Sequence, residues 1–160
     1  MKRTFVSNWL TAWKILYGCL LASWLGGLTF YSIVVIPLGT ARWGSVEQGM
    51  LTAAVTVRLN ALATIAILVI MIDSLRRRCR RSILGALLLV VTQLLIYFLH
   101  VQLSGRIDDG TGEILQPEGQ MSFYTVHRVY LLVTAAQWLL GVLFLAGFSS
   151  RVADSSPSAS

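Results

Sequence analysis

Four stretches of about 20 apolar residues each, 15–36, 53–72, 83–103 and 129–148, decide which solvent this chain can fold in. At 1.5 Å per residue each makes about 30 Å of helix, the thickness of the hydrocarbon core of a bilayer. Helices of a soluble bundle carry a polar face, whereas here 56 % of the 160 residues are hydrophobic and only 12 % are charged. Inside lipid a backbone must satisfy its own hydrogen bonds, and a helix does so within one segment. The expected fold is therefore all-α, an integral membrane four-helix bundle occupying residues 1–148. Residues 149–160, made of Ser, Ala and Pro with few apolar side chains, are expected to form a disordered cytoplasmic tail.

Two boundaries need a decision. Lys2 and Arg3 ahead of an apolar run resemble a signal peptide, but the run is longer than a signal core, and Pro37, Gly39, Arg42 and Trp43 follow it in place of a cleavage site. It is read as a span. Before it, Phe5, Val6, Trp9, Leu10 and Trp13 recur at helical spacing, as in a short interfacial helix with its tryptophans at headgroup depth. In the second run Arg58 and Asn60 interrupt the apolar sequence; a span starting after Asn60 would hold only about 12 residues, so Arg58 belongs inside it.

Orientation follows from the basic residues. Of the 13 Lys and Arg, nine fall on one side: Lys2, Arg3, Lys14, Arg76, Arg77, Arg78, Arg80, Arg81 and Arg151. Positive charge is retained on the cytoplasmic side, so both termini are expected in the cytoplasm, with the chain in the inner (plasma) membrane. The loop after the third span carries Asp108, Asp109, Glu113 and Glu118 against Arg106 and is assigned outside. The net charge of +6 is explained by the leaflet rather than by nucleic acid, which is not an expected partner. Cys19 in a span and Cys79 among arginines leave no disulfide to expect.

Polar side chains at membrane depth are costly and mark either interhelical hydrogen bonds or a site. Thr52, Thr56, Asn60 and Thr64 recur every four residues on the second span; Gln93, Tyr97 and His100 follow on the third; His127, Tyr130, Thr134, Gln137 and Gly141 on the fourth. Facing one another, they would place Arg58, Asn60, Tyr97, His100, His127 and Tyr130 in an outer-leaflet polar pocket. Arg58 there would bind an anion or a lipid headgroup, or else snorkel to the surface toward Glu47. His100 and His127, the two histidines of the chain, form an alternative metal site, able in principle to hold haem or copper; zinc would need Glu113 or Glu118 as well. Interfacial anchoring explains the same histidines without a metal. Gly18, Ala22 and Gly26 give the small-xxx-small spacing that admits a second helix, from this chain, a second copy or a membrane partner.

Hydrolase elbows, Cys-x-x-Cys, His-Glu-x-x-His and phosphate-binding loops are absent, and no carboxylate sits in the middle of a span. The segment Gly26-Gly-Leu-Thr-Phe-Tyr-Ser-Ile-Val-Val-Ile-Pro37, with Phe123-Tyr-Thr-Val-His-Arg-Val-Tyr130, resembles small four-span bacterial membrane families of unknown function, grouped with copper-resistance-like or anthrone-oxygenase-like proteins. The resemblance implies a four-helix bundle and transfers no activity. The residues themselves point to a non-enzymatic module that binds lipid, a small ligand or a partner, and needs no cofactor. The alternatives are a haem or copper redox protein and a purely structural subunit.

Overall fold

The computed structural model describes residues 2–106 and 121–154, the side chains at 2–8, 10, 45, 46 and 151–154 excepted. All the regular structure in them is helical: α1 (Lys2–Phe30), a π-helical turn (Tyr31–Val35), α2 (Ile36–Trp43), α3 (Ser45–Arg77), α4 (Arg80–Ser104) and α5 (Phe123–Asp154). α1 packs on α3 and α5, and α4 packs on the same two, which closes a ring of four antiparallel neighbours. Trp13 of α1 meets Arg76 at the end of α3, and Tyr17 stacks near Phe148 of α5 with ring centroids 4.8 Å apart, so both chain ends share one end of the bundle with the arginine-rich turn.

Four helices are long and apolar enough to cross a membrane: 11–43, 47–77, 80–104 and 123–150. Their outward positions are the more apolar ones; Ile33, Leu94, Leu132 and Leu143 are each at least 66 % exposed. In water such a surface would aggregate, and in lipid it is the solvated face. The chain is a multi-pass membrane protein.

Each helix is longer than its apolar run, because polar residues at headgroup depth still gain from helical hydrogen bonds. No break separates the amino-terminal segment from the first span; the backbone is α-helical from Lys2 to Phe30, so the short interfacial helix is the first part of α1. At the other terminus α5 continues to Asp154, past the point where the tail was expected to begin at 149, with the Ser149 and Ser150 hydroxyls donating to the carbonyls of Leu145 and Gly147. Residues 155–160 lie outside the described residues.

Pro37 does not end the first span. A proline removes one helical donor and its ring clashes with the carbonyl four residues back. Here the chain widens to a π turn just before it, in which the Ile36 N–H reaches Tyr31 O, and α2 then carries on to Trp43. Gly44 reverses the direction in a single residue at φ +91°, a conformation glycine adopts without a Cβ clash. The second reversal takes two residues, Arg78 at φ +52° and extended Cys79. The third runs through residues outside the description, but its ends are tied: buried Arg106 donates from its guanidinium to the carbonyl of Met121.

The core occupies the arginine-rich half of the bundle, where Tyr17, Leu21, Trp24 and Leu25 pack on Ala63, Ala66, Ile67, Ile70, Ala86 and Leu89. Small residues on α3 and α4 face large ones on α1, which lets the backbones approach. Gly141 does the same on α5: a Cβ there would stand 2.8 Å from Leu25 Cδ2 and 3.0 Å from the Trp24 ring. The proposed small-residue stripe on α1 is split. Gly18 is used inside the chain, its Cβ position 3.2 Å from Phe148, whereas Ala22 and Gly26 face outward and a Cβ on Gly26 meets nothing within 4 Å. Gly141→Ala is therefore expected to lower the stability in detergent by about 1–3 kcal/mol through overpacking, and Gly26→Ala, which meets open space, to leave it unchanged or raise it by up to about 1 kcal/mol. Thermal unfolding of the two variants against wild type measures the difference.

Candidate functional site

Three polar layers interrupt the apolar interior. At the arginine-rich end Asp73 is buried; one carboxylate oxygen accepts from Arg77 Nε at 2.7 Å and the other from Trp13 Nε1 at 3.5 Å. The Arg76 guanidinium lies over the Trp13 ring, 5.4 Å from its centroid. Ser74 and Ser82 share a hydroxyl hydrogen bond of 2.8 Å between α3 and α4. These contacts pin α1, α3 and α4 together at headgroup depth.

The middle layer joins α3, α4 and α5 through amides. Gln137 Nε2 donates to Gln93 Oε1 at 2.8 Å, and Gln93 Nε2 donates to the Asn60 carbonyl at 3.3 Å. The Asn60 carbonyl also accepts from the Thr64 hydroxyl at 2.8 Å. Asn60 Nδ2 is buried on the side of Tyr130. Gln93 sits in the inward stripe Ala86, Leu89, Gln93, Ile96, Leu99 and Leu103, at steps of three or four as helix packing requires.

The third layer lies toward the other end. Tyr31, in the π turn, donates to Thr52 Oγ1 at 3.1 Å, and buried Gln48 Nε2 approaches the Tyr31 and Thr52 oxygens at 3.4 and 3.3 Å. Gln48 occupies the space a Cβ on Gly39 would need, which fixes α2 against α3. Beside it the Tyr130 side chain reaches those of Thr56, Asn60 and Thr134. The His100 ring lies 6.5 Å from that of Tyr130, and His127 stacks on Phe123 one turn earlier at 6.0 Å.

The six residues expected to share a pocket are thus distributed over two environments. Asn60, His100 and Tyr130 come together inside the bundle, and His127 is half-buried one turn of α5 away. Arg58 and Tyr97 face outward, Tyr97 with 63 % of its surface exposed. The reason is angular. Arg58 is two residues from Asn60 and so about 200° around the helix. On α4 the inward stripe steps from Gln93 to Ile96, three residues on, and leaves Tyr97 turned toward lipid. Among the described residues no three His, Cys, Asp or Glu side chains are grouped as a metal would require, and the two histidines pack on different aromatic rings. Glu113 and Glu118 lie outside the described residues. Sequence reading passed over Gln48 and Arg106, both buried; each sits in a segment whose depth only the assembled helices define.

The contacts of the middle layer are hydrogen bonds between helices. Replacing Gln137 by Leu strands the Gln93 acceptor and is expected to cost about 1–2 kcal/mol, while the double variant Gln93→Leu/Gln137→Leu recovers most of that loss. Thermal unfolding of the cycle reads the coupling directly. Compared with protein-family models, with curated proteins and with solved structures, the chain matches none.

Proposed function

We propose that this chain is a non-enzymatic protein of the inner membrane that binds an anionic, lipid-like ligand through Arg58, in the leaflet away from its arginine-rich turn. The turn, by the retention of positive charge during insertion, faces the cytoplasm together with both termini.

Arg58 carries the reading. It is exposed on α3, with no hydrogen bond or ion pair among the described residues, and it lies within a helix crossing from 47 to 77. Fifteen positions separate it from Asp73 and fourteen from Gly44, about 22 and 21 Å along the axis, so it is near the middle of α3. Placing an arginine at such depth costs about 2.5–3.5 kcal/mol on insertion scales, and an anion that meets it offsets the cost. Helical side chains lean toward the helix amino terminus, which for α3 is the Gly44 end, so the guanidinium is directed to the phosphates of that leaflet.

Among the described residues no carboxylate pairs with it: Glu47 is eleven residues back along α3, and Asp73 is already bound to Arg77. A symmetric dimer through this face would oppose two guanidiniums. An anionic amphiphile, with its charge at the guanidinium and its chains along the apolar helix surface, fits both parts of the face.

Lipids retained by the protein in mild detergent, counted by native mass spectrometry, test the proposal. Arg58→Ala is expected to lose anionic lipid about tenfold, Arg58→Lys to lose less because the charge remains without the bidentate fork, and Arg151→Ala to match wild type. Equal retention in wild type and Arg58→Ala would overturn it.

A further inference from the structure

The opposite end of the bundle carries the densest charge in the chain. Arg76, Arg77, Arg78, Arg80 and Arg81 surround a turn of two residues, and all five are exposed. Two of the five are held by the protein itself. Arg77 is bound to Asp73, and Arg76 is stacked on Trp13. The remaining three, Arg78, Arg80 and Arg81, have no hydrogen bond or ion pair among the described residues. Asp73 is the only carboxylate whose side chain is described at this end, and both its oxygens are occupied.

From this division of labour we infer that Arg78, Arg80 and Arg81 form a binding site for the headgroup of an anionic glycerophospholipid in the leaflet on that side. Three exposed guanidiniums within four residues of sequence repel one another, and a phosphate shared between them removes the repulsion. The turn leaves the start of α4 open. Arg78 sits at φ +52°, where the chain leaves α3, and Cys79 is extended and caps α4 only with its carbonyl, which accepts from Ile83 N at 2.9 Å. The first amides of α4 therefore lack a side-chain cap, and the helix amino terminus at Arg80 adds its own preference for negative charge. The Ser74–Ser82 bond and the Trp13–Arg76 stack hold the turn at the membrane interface, where lipid phosphate is the abundant anion. Zwitterionic lipid offers a phosphate already compensated by its own cation, so selection is for net negative headgroups. This site lies at the far end of α3 from Arg58 and does not rest on the reading given for that residue.

The test uses the full chain in nanodiscs of phosphatidylcholine with or without phosphatidylglycerol, with a nitroxide on Cys79, exposed within the turn, in a Cys19→Ser background. Phosphatidylglycerol is expected to slow the nitroxide and to be enriched around the protein, with affinity falling about fivefold for each of Arg78→Gln, Arg80→Gln and Arg81→Gln. Arg58→Ala is expected to leave the nitroxide response intact, which separates this site from the one in the other leaflet. In the spin-labelled chain with all its arginines, added salt should reverse the slowing, a measurement that stands even where an arginine variant does not fold. A nitroxide indifferent to phosphatidylglycerol overturns the inference. So does equal slowing by inorganic phosphate in phosphatidylcholine discs, which would make the turn a site for a free anion.

Discussion

Hydrocarbon supplies no hydrogen bonds, and the architecture follows from how the chain meets that constraint. Backbone groups are paired inside each helix, and even Pro37, which removes a donor, is accommodated by a π turn that keeps the helix running from Tyr31 through Trp43. The same constraint governs side chains. Gln93, Gln137 and the Asn60 carbonyl bond to one another across three helices because no water could replace any of them. Such bonds contribute modestly to stability in membranes, but they fix which helix faces fit together, since a rotated helix would leave an amide unpaired in lipid.

Apolar packing supplies the remainder. Between helices in lipid the hydrophobic effect gives little net drive, so close contact matters more than apolar area. Ala63, Ala66, Ala86 and Gly141 open room for Trp24, Tyr17 and Leu25, and the outer half has the smaller cluster of Leu99, Leu103 and Val126. The two halves differ accordingly: dense apolar packing beside the arginine turn, and more hydrogen bonds, aromatic rings and the two histidines toward the other end.

Charge is divided as unevenly. At one end five arginines meet a single described carboxylate, Asp73, which the protein uses to bind Arg77 and to orient Trp13. Arg58, well inside the second span, is exposed with no partner among the described residues. Arginines that the fold employs are recognisable by their partners, as with Arg77, Arg76 and Arg106. Those without partners among the described residues, Arg58, Arg78, Arg80 and Arg81, are exposed.

The number of spans and their approximate limits were legible in the sequence, because membrane thickness converts directly into a length of apolar chain. So was the concentration of cation in one loop. The helix ends were not, since headgroup depth tolerates polar residues in a continuing helix, as α1 from Lys2 and α5 to Asp154 illustrate. The candidate site was legible only in part. Spacing showed which residues share a face of one helix, and it anticipated that Asn60, His100 and Tyr130 lie on stripes able to meet. It could not set the rotation of each helix about its own axis, which turned Tyr97 and Arg58 to lipid and consumed Gly18 in an internal contact. That rotation is decided by the fit of side chains from neighbouring helices, by Gly141 against Trp24 and by Gln137 against Gln93, and these meet only in the assembled bundle.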